Sequence, residues 1–235
     1  MVSAGMLAAY LREQSLDVEL TPVQIAAMTL TAVLEADKPA AEADLFRFQV
    51  PELGENGACS LVDDLADEPY DLSVWFGGET PEAHAALRDL AALVESANHQ
   101  VGADWLGVYA VRGTGDTARL VKLSYLGRPS RAEFPLTEAF AETSNNSRVG
   151  LSGWGVVIDD VAEWCELGGG YYLCDPSVQS EVCLPVLDED GRVLGIIDAE
   201  AAQKGFFDAD RLAWLAALSV VLAGPLGQMP FVEPE

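Results

Sequence analysis

A chain of 235 residues, half of them hydrophobic, carries enough apolar material for one well-filled core, which excludes a disordered protein. Thirty-eight acidic residues against thirteen basic ones give a net charge of −25, a field that repels phosphate backbones and excludes nucleic acid as a natural partner. It favours a cationic or zwitterionic ligand for any acid held inside, while most of the acids read as solvated surface.

No apolar run reaches the ~20 residues that cross a bilayer. The most apolar stretch, "LAWLAALSVVLAG" (212–224), reads as a packed or interfacial helix. The first residues lack a basic leader, so the expected address is the cytoplasm, without a membrane partner. Four cysteines, at 59, 165, 174 and 183, show neither CxxC nor zinc spacing, and only two histidines accompany them. Neither a metal nor a bound cofactor is therefore expected, and the thiols are expected to be reduced.

In chain order, residues 1–80 read as an extension of one or two helices plus irregular chain, with helix periodicity in "TPVQIAAMTLTAVLEAD" (21–37). Residues 81–226 carry the clearest pattern, and 227–235 form a short tail. "PEAHAALRDLAALVESANHQV" places Leu87, Leu90, Ala91 and Val94 at the spacing of an amphipathic helix. "DWLGVYAVRG" and "ARLVKLSYLG" read as a hairpin, followed by a less regular stretch over roughly 128–153. "WGVVIDDV" reads as a short strand, and "SEVCLPVLDEDGRVLGIIDAE" as two strands joined at Asp190-Gly191. A closing helix follows, with Asp208 as its N-cap and Gly224-Pro225 as its stop. This order predicts an α+β fold, an antiparallel sheet with helices packed on one face.

Strand alternation then groups side chains, because residues two apart share a face. Trp105, Gly107 and Tyr109 point one way, and Leu106, Val108 and Ala110 the other. By the same rule Glu181 shares a face with Cys183, and Asp198 with Glu200. Two aromatics with a glycine between them leave a floor with two walls.

From Ala83 to about Leu222 the chain resembles a GAF domain, and within that superfamily the free methionine-R-sulfoxide reductases. "DWLGVY" resembles the strand motif NWVGFY, and "GYYLCDPSVQSEVCLPV" resembles GHIACDxxSNSEIVLPL, with the same step from cysteine to glutamate. "GRVLGIIDAE" resembles GQIIGVLDID, and "FFDADRLAWLAALSVVL" resembles the closing helix that begins RFTDEDEQGL. The resemblance implies Cys174 as catalytic nucleophile, Trp105 and Tyr109 as pocket aromatics, and Glu181, Asp198 and Glu200 as pocket carboxylates, the last a Glu where Asp is usual. The implied activity is thiol-dependent reduction of free L-methionine-(R)-sulfoxide or a similar small zwitterionic sulfoxide.

Those residue types suit that chemistry. A thiolate attacks the sulfur while the departing oxygen takes a proton from an acid. Crowded carboxylates raise one another's pKa so that one retains a proton, and the remaining charge binds an ammonium. The aromatics pack on the S-methyl end. The resulting sulfenic acid then needs a second thiol. The family places it in a GVCG motif, whereas "FPLTEAFAETSNNSRVGLSG" has no cysteine; two registers put the position at Ala141 or near Asn146. Cys165, across the Gly-rich 168–170 link, and Cys183 are the candidate substitutes, and an external thioredoxin- or glutathione-type thiol is a third route. Loss of turnover is a fourth, leaving a non-catalytic GAF module that binds an amino-acid-like ligand, as a homodimer through its terminal helices.

Overall fold

The computed structural model describes residues 2–38, 44–53, 64–172 and 175–232. Cys59 and Cys174 lie outside the described residues. Six antiparallel strands form one sheet in the order β5-β4-β3-β8-β7-β6. They are β3 (Trp105–Arg112), β4 (Arg119–Leu126), β5 (Glu133–Pro135), β6 (Val156–Ile158), β7 (Ser180–Leu187) and β8 (Val193–Ala201). A separate two-stranded ribbon pairs β1 (Arg47–Phe48) with β2 (Tyr70–Asp71).

The helices α1 (Ala4–Glu13), α2 (Leu20–Glu35), α3 (Pro81–Val101) and α7 (Ala209–Gly227) share one core with one face of the sheet. That core takes Leu106, Val108 and Ala110 from β3, Val182 and Leu184 from β7, and Ile197 and Ala199 from β8. The alternation read from the sequence therefore sets the inner face. The opposite face carries a second cluster that includes Trp105, Tyr109, Phe134, Cys183 and Ile196. Over this face lie α4 (Glu138–Ala141), α5 (Asn145–Ser152) and α6 (Val161–Glu166), short elements from or just beyond the stretch that looks irregular in sequence.

Local chemistry fixes the element ends. Thr80 caps α3 through its hydroxyl, with Pro81 at the first helical position, and Asp208 caps α7. Pro225 does not stop α7, which continues to Gly227. A proline in the last turn removes a single backbone bond, and Gln228 N–H donates to the Pro225 carbonyl to close the end. By length and composition α7 is apolar enough to cross a bilayer, yet it packs inside, with Leu215, Ala216, Ala217, Leu218 and Leu222 fully buried. Between β7 and β8, Asp188 accepts from the N–H groups of Asp190 and Arg192, and Gly191 takes φ 79°. The turn is thus a five-residue loop organised by Asp188 rather than a two-residue one.

The N-terminal extension is sewn to the rest. Tyr10 donates its hydroxyl to the Pro185 carbonyl, and Gln14 brackets the end of α5, accepting from Gly155 N–H and donating to the Gly153 carbonyl. Val23, Ala26, Ala27 and Leu30 of α2 enter the main core.

Candidate functional site

Strand register turns the shared face into rows of touching residues. Glu181, Glu200 and Trp105 lie side by side across β7, β8 and β3; Cys183, Asp198 and Gly107 form the next row; Pro185, Ile196 and Tyr109 the third. Directly opposed residues hold their Cβ atoms about 5 Å apart. Alternation along β8 sets Asp198 beside Glu200, and strand pairing brings Glu181 to them. Gly107 keeps the second row low, because the Trp105 indole folds over it: a Cβ there would stand 2.1 Å from Trp105 Cη2.

Above these rows opens a cavity of about 380 Å³, lined by Trp105, Tyr109, Glu181, Asp198 and Glu200 together with Phe134, Tyr172, Asn145 and Asn146. The structure thus brings together five of the residues singled out in the sequence. Trp105 stacks on Tyr125 and donates its indole N–H to the Arg128 carbonyl at 3.2 Å, while Tyr109 donates to the Arg131 carbonyl. Both aromatic walls are fixed by loop 127–131.

The carboxylates are held by groups that sequence reasoning passed over. At the start of α5, Asn145 donates to Glu181 Oε1 at 2.9 Å and Asn146 to Asp198 Oδ2 at 3.1 Å. Arg148 in turn holds Asn145 at 2.6 Å, and Tyr171 hydrogen-bonds Glu181. Ser144 caps the helix, presenting both asparagines to the sheet. The sequence signal was present in "TSNNS", a cap residue followed by two amides, but a helix of eight residues has too little periodicity to stand out.

Burial raises the Glu181 carboxyl above its ordinary range, opposed by its hydrogen bonds to Tyr171 and Asn145. Burial also pushes Asp198 well up, and the charges of Glu181 and Glu200 push it further. Asp198 Oδ1 is buried and has no hydrogen-bond partner among the described residues. Asp198 thus offers one anchored and one open oxygen, suited to carrying a proton or meeting a ligand donor.

The thiols divide sharply. Cys183 lies on the cavity side of the sheet, as alternation predicts, but is fully buried beneath the acids and does not line the cavity. Burial first, then Asp198 and Glu181, drive its thiol well above the ordinary range, so it is a poor thiolate. Cys165 is exposed on α6. The Gly-rich segment after it is not a loose link: Gly169 N–H donates to the Trp164 carbonyl and the Trp164 indole donates to the Gly170 carbonyl. A Cβ at Gly170 would lie 1.7 Å from the Glu142 carbonyl oxygen. Asn146, one of the two positions at which a resolving thiol would fall, holds Asp198 instead. Cys174 falls outside the described residues, but its neighbours on either side are anchored: Arg131 donates to the Tyr172 hydroxyl at 2.8 Å and Arg128 pairs with Asp175 at 3.6 Å.

A curled antiparallel sheet backed by long helices on one face, with a cavity of about 380 Å³ on the other, defines an α+β domain. Residues 87–224 match the GAF domain family, and the chain belongs to it. Its structure is similar to the type II free methionine-R-sulfoxide reductase of Thermoplasma acidophilum, at 23% identity over 65% of this chain and 99% of that one, with a TM-score of 0.53. It is also similar to the free methionine-R-sulfoxide reductase of Neisseria meningitidis in complex with its substrate, at 22% identity over 61% and 79% of the two chains and a TM-score of 0.50. A candidate GAF sensor protein from Burkholderia vietnamiensis aligns over 97% of this chain and 99% of its own, at 19% identity and a TM-score of 0.51. At these identities the likeness is one of fold. No curated protein sequence matches the chain.

Proposed function

We propose that the chain reduces free L-methionine-(R)-sulfoxide, or a similar small zwitterionic sulfoxide, with Cys174 as its nucleophile and an external thioredoxin- or glutathione-type thiol as reductant. The observation that carries this reading is one cavity in which aromatic walls meet three carboxylates, one of them with an open buried oxygen. The role of Cys174 rests on the sequence resemblance.

In this reading Glu200 and Glu181 face the ammonium, and Trp105 and Tyr109 hold the S-methyl end. The Cys174 thiolate attacks the sulfoxide sulfur while Asp198 protonates the oxygen, and the hydroxyl then passes from the substrate sulfur to the Cys174 sulfur, the transient S–S bond and the substrate S–O bond breaking as the sulfenic acid S–O bond forms. The net change is thiol plus sulfoxide to sulfenic acid plus thioether. One external thiol then displaces water from the sulfenic acid to form a mixed disulfide, and a second releases the Cys174 thiolate. Neither Cys183, buried with a raised pKa, nor Cys165, on an exposed helix, is needed for that route. A reducing cytoplasmic setting would suit it.

A second reading has its own support. An amide at Asn146, together with the inert Cys183, suits a module that binds an amino-acid-like ligand without turnover, as a homodimer through the terminal helices. One assay separates the two. Reduced protein is incubated with each methionine sulfoxide epimer and a small thiol, and methionine is followed. Turnover of the R epimer, lost in Cys174→Ser and kept in Cys59→Ser and Cys183→Ala, supports the reductase; saturable binding without product in the wild type overturns it.

A further inference from the structure

We propose that the N-terminal extension is part of the binding site, with Pro51 walling the cavity and Phe48 as a positioning residue behind that wall, so that the site is restricted to short, free amino-acid ligands. Among the described lining residues Pro51 alone lies outside the family-matching region. Residues 44–53 are held in place by backbone bonds to 64–72: Leu72 N–H donates to the Phe46 carbonyl, Ala66 N–H to Val50, and Glu52 N–H to Asp64. Phe46 pins this strap into the main core, fully buried against Phe76 and His84. Tyr70, opposite Phe48, donates to Glu133 Oε1 at 2.5 Å and ties the ribbon to β5.

From that anchor the strap reaches the cavity twice. Pro51 lines it directly. Phe48 acts through a buried lysine: its ring lies 4.8 Å from Lys122 Nζ and 5.6 Å from the Tyr125 ring. Lys122 is fully buried and donates to the Ser130 carbonyl at 2.7 Å and to its hydroxyl at 2.9 Å. Ser130, Pro129 and Arg128 form a cavity wall, and the Arg128 carbonyl holds the Trp105 indole. Phe48 thus covers the cation that fixes the loop that fixes Trp105. A proline contributes a rigid apolar surface without an N–H, so Pro51 offers no backbone donor to the carbonyl of a longer ligand. Cation–π contact with Phe48 and Tyr125 compensates the Lys122 charge for its loss of water.

The ligand side of this proposal rests on the reading above; the wall itself does not, and the test keeps them apart. Full-length protein is labelled with 5-fluorotryptophan, and the Trp105 resonance, assigned through Trp105→Phe, is read for its solvent isotope shift between H2O and D2O. The wild type is expected to show almost none, and Phe48→Ala and Pro51→Gly a clear shift at Trp105 with Trp214 unchanged as the folding control. Two variants are used because Phe48 also packs against the main core. In parallel, thermal shifts are measured with free methionine sulfoxide and with glycyl-methionine sulfoxide. The wild type should respond to the free amino acid alone, and the variants also to the dipeptide, within about threefold of the free form. An unmoved Trp105 resonance in folded variants overturns the wall. Folded variants that open Trp105 yet still reject the dipeptide overturn the specificity role. A wild type that responds to neither compound overturns the amino-acid reading, while the fluorine shift still decides the wall.

Discussion

Replacing Asp198 by asparagine tests the electrostatics of the site most directly. Asp198 is 4% exposed, with one oxygen on Asn146 and the other without a partner among the described residues. Burial and the charges of Glu181 and Glu200 raise its pKa in the folded protein. A raised folded-state value means that the fold favours the protonated form. The stability this group contributes is therefore full below the ordinary carboxylate value and is lost as pH rises through the folded-state value. Asp198→Asn stays neutral throughout and keeps an acceptor for Asn146, so it removes that loss. Burying a polar group without compensation costs about 1–3 kcal/mol in mutational data. At about 2–4 °C per kcal/mol for a chain of this size, the variant should melt roughly 2–12 °C higher at pH 8. At pH 4 the two proteins should melt together. Calorimetry at both values checks this, with Glu181 leaving a residual slope in the same direction in both proteins. A variant no more stable at pH 8, or equally stabilised at pH 4, would refute the raised pKa of Asp198. In the reductase reading the same variant loses turnover, trading function for stability.

Asn146→Ala removes the donor on Asp198 and should cost on the order of 1–2 kcal/mol in denaturant melts, whereas Asn146→Asp, which adds a carboxylate beside Asp198, should cost more at pH 8 than at pH 5; equal costs would remove Asn146 from the acid network. Alkylation at pH 8 should label Cys165 in the native protein and Cys183 only after unfolding, as mass spectrometry of the peptides will show; prompt native labelling of Cys183 would contradict its burial. Gly107→Ala should force Trp105 from its seat, costing about 1–3 kcal/mol as overpacking does, and should abolish ligand binding by thermal shift; a silent substitution would mean that the indole does not rest on Gly107.

Much of the inner face was legible because a half-buried strand has one rule, alternation, and three strands obey it. Trp105 and Tyr109 opposite Leu106 and Val108, and Asp198 and Glu200 opposite Ile197 and Ala199, follow from period alone. Register was not legible: nothing local says that Glu181 sits across from Glu200 rather than Asp198. Neither was the α5 contribution, because Asn145 and Asn146 matter through contacts 36 and 52 residues away. Pro51 and Phe48 were hidden for a related reason. A two-residue strand has no period, and its meaning lies in what it leans on. The Gly-rich 168–170 segment misled in the opposite sense, since glycine reads as freedom but here permits close approach to Trp164 and Glu142.

The charge pattern bears on how a thiol can work beside such acids. Cys183 shows what the acid rows do to sulfur, because next to Asp198 and Glu181 its thiol is driven up and kept protonated. In the proposed reductase a nucleophile in the same row would be disabled by the carboxylates assigned to the ammonium and the proton. In the proposed reductase the attacking thiol would therefore come from outside the acid rows, as Cys174, which precedes β7 in the chain, does. Arg131 and Arg128 grip Tyr172 and Asp175, two residues before and one residue after Cys174 in the chain. The proposed reductase would thus separate recognition, by carboxylates on the sheet, from nucleophilic attack by a residue that precedes β7 in the chain.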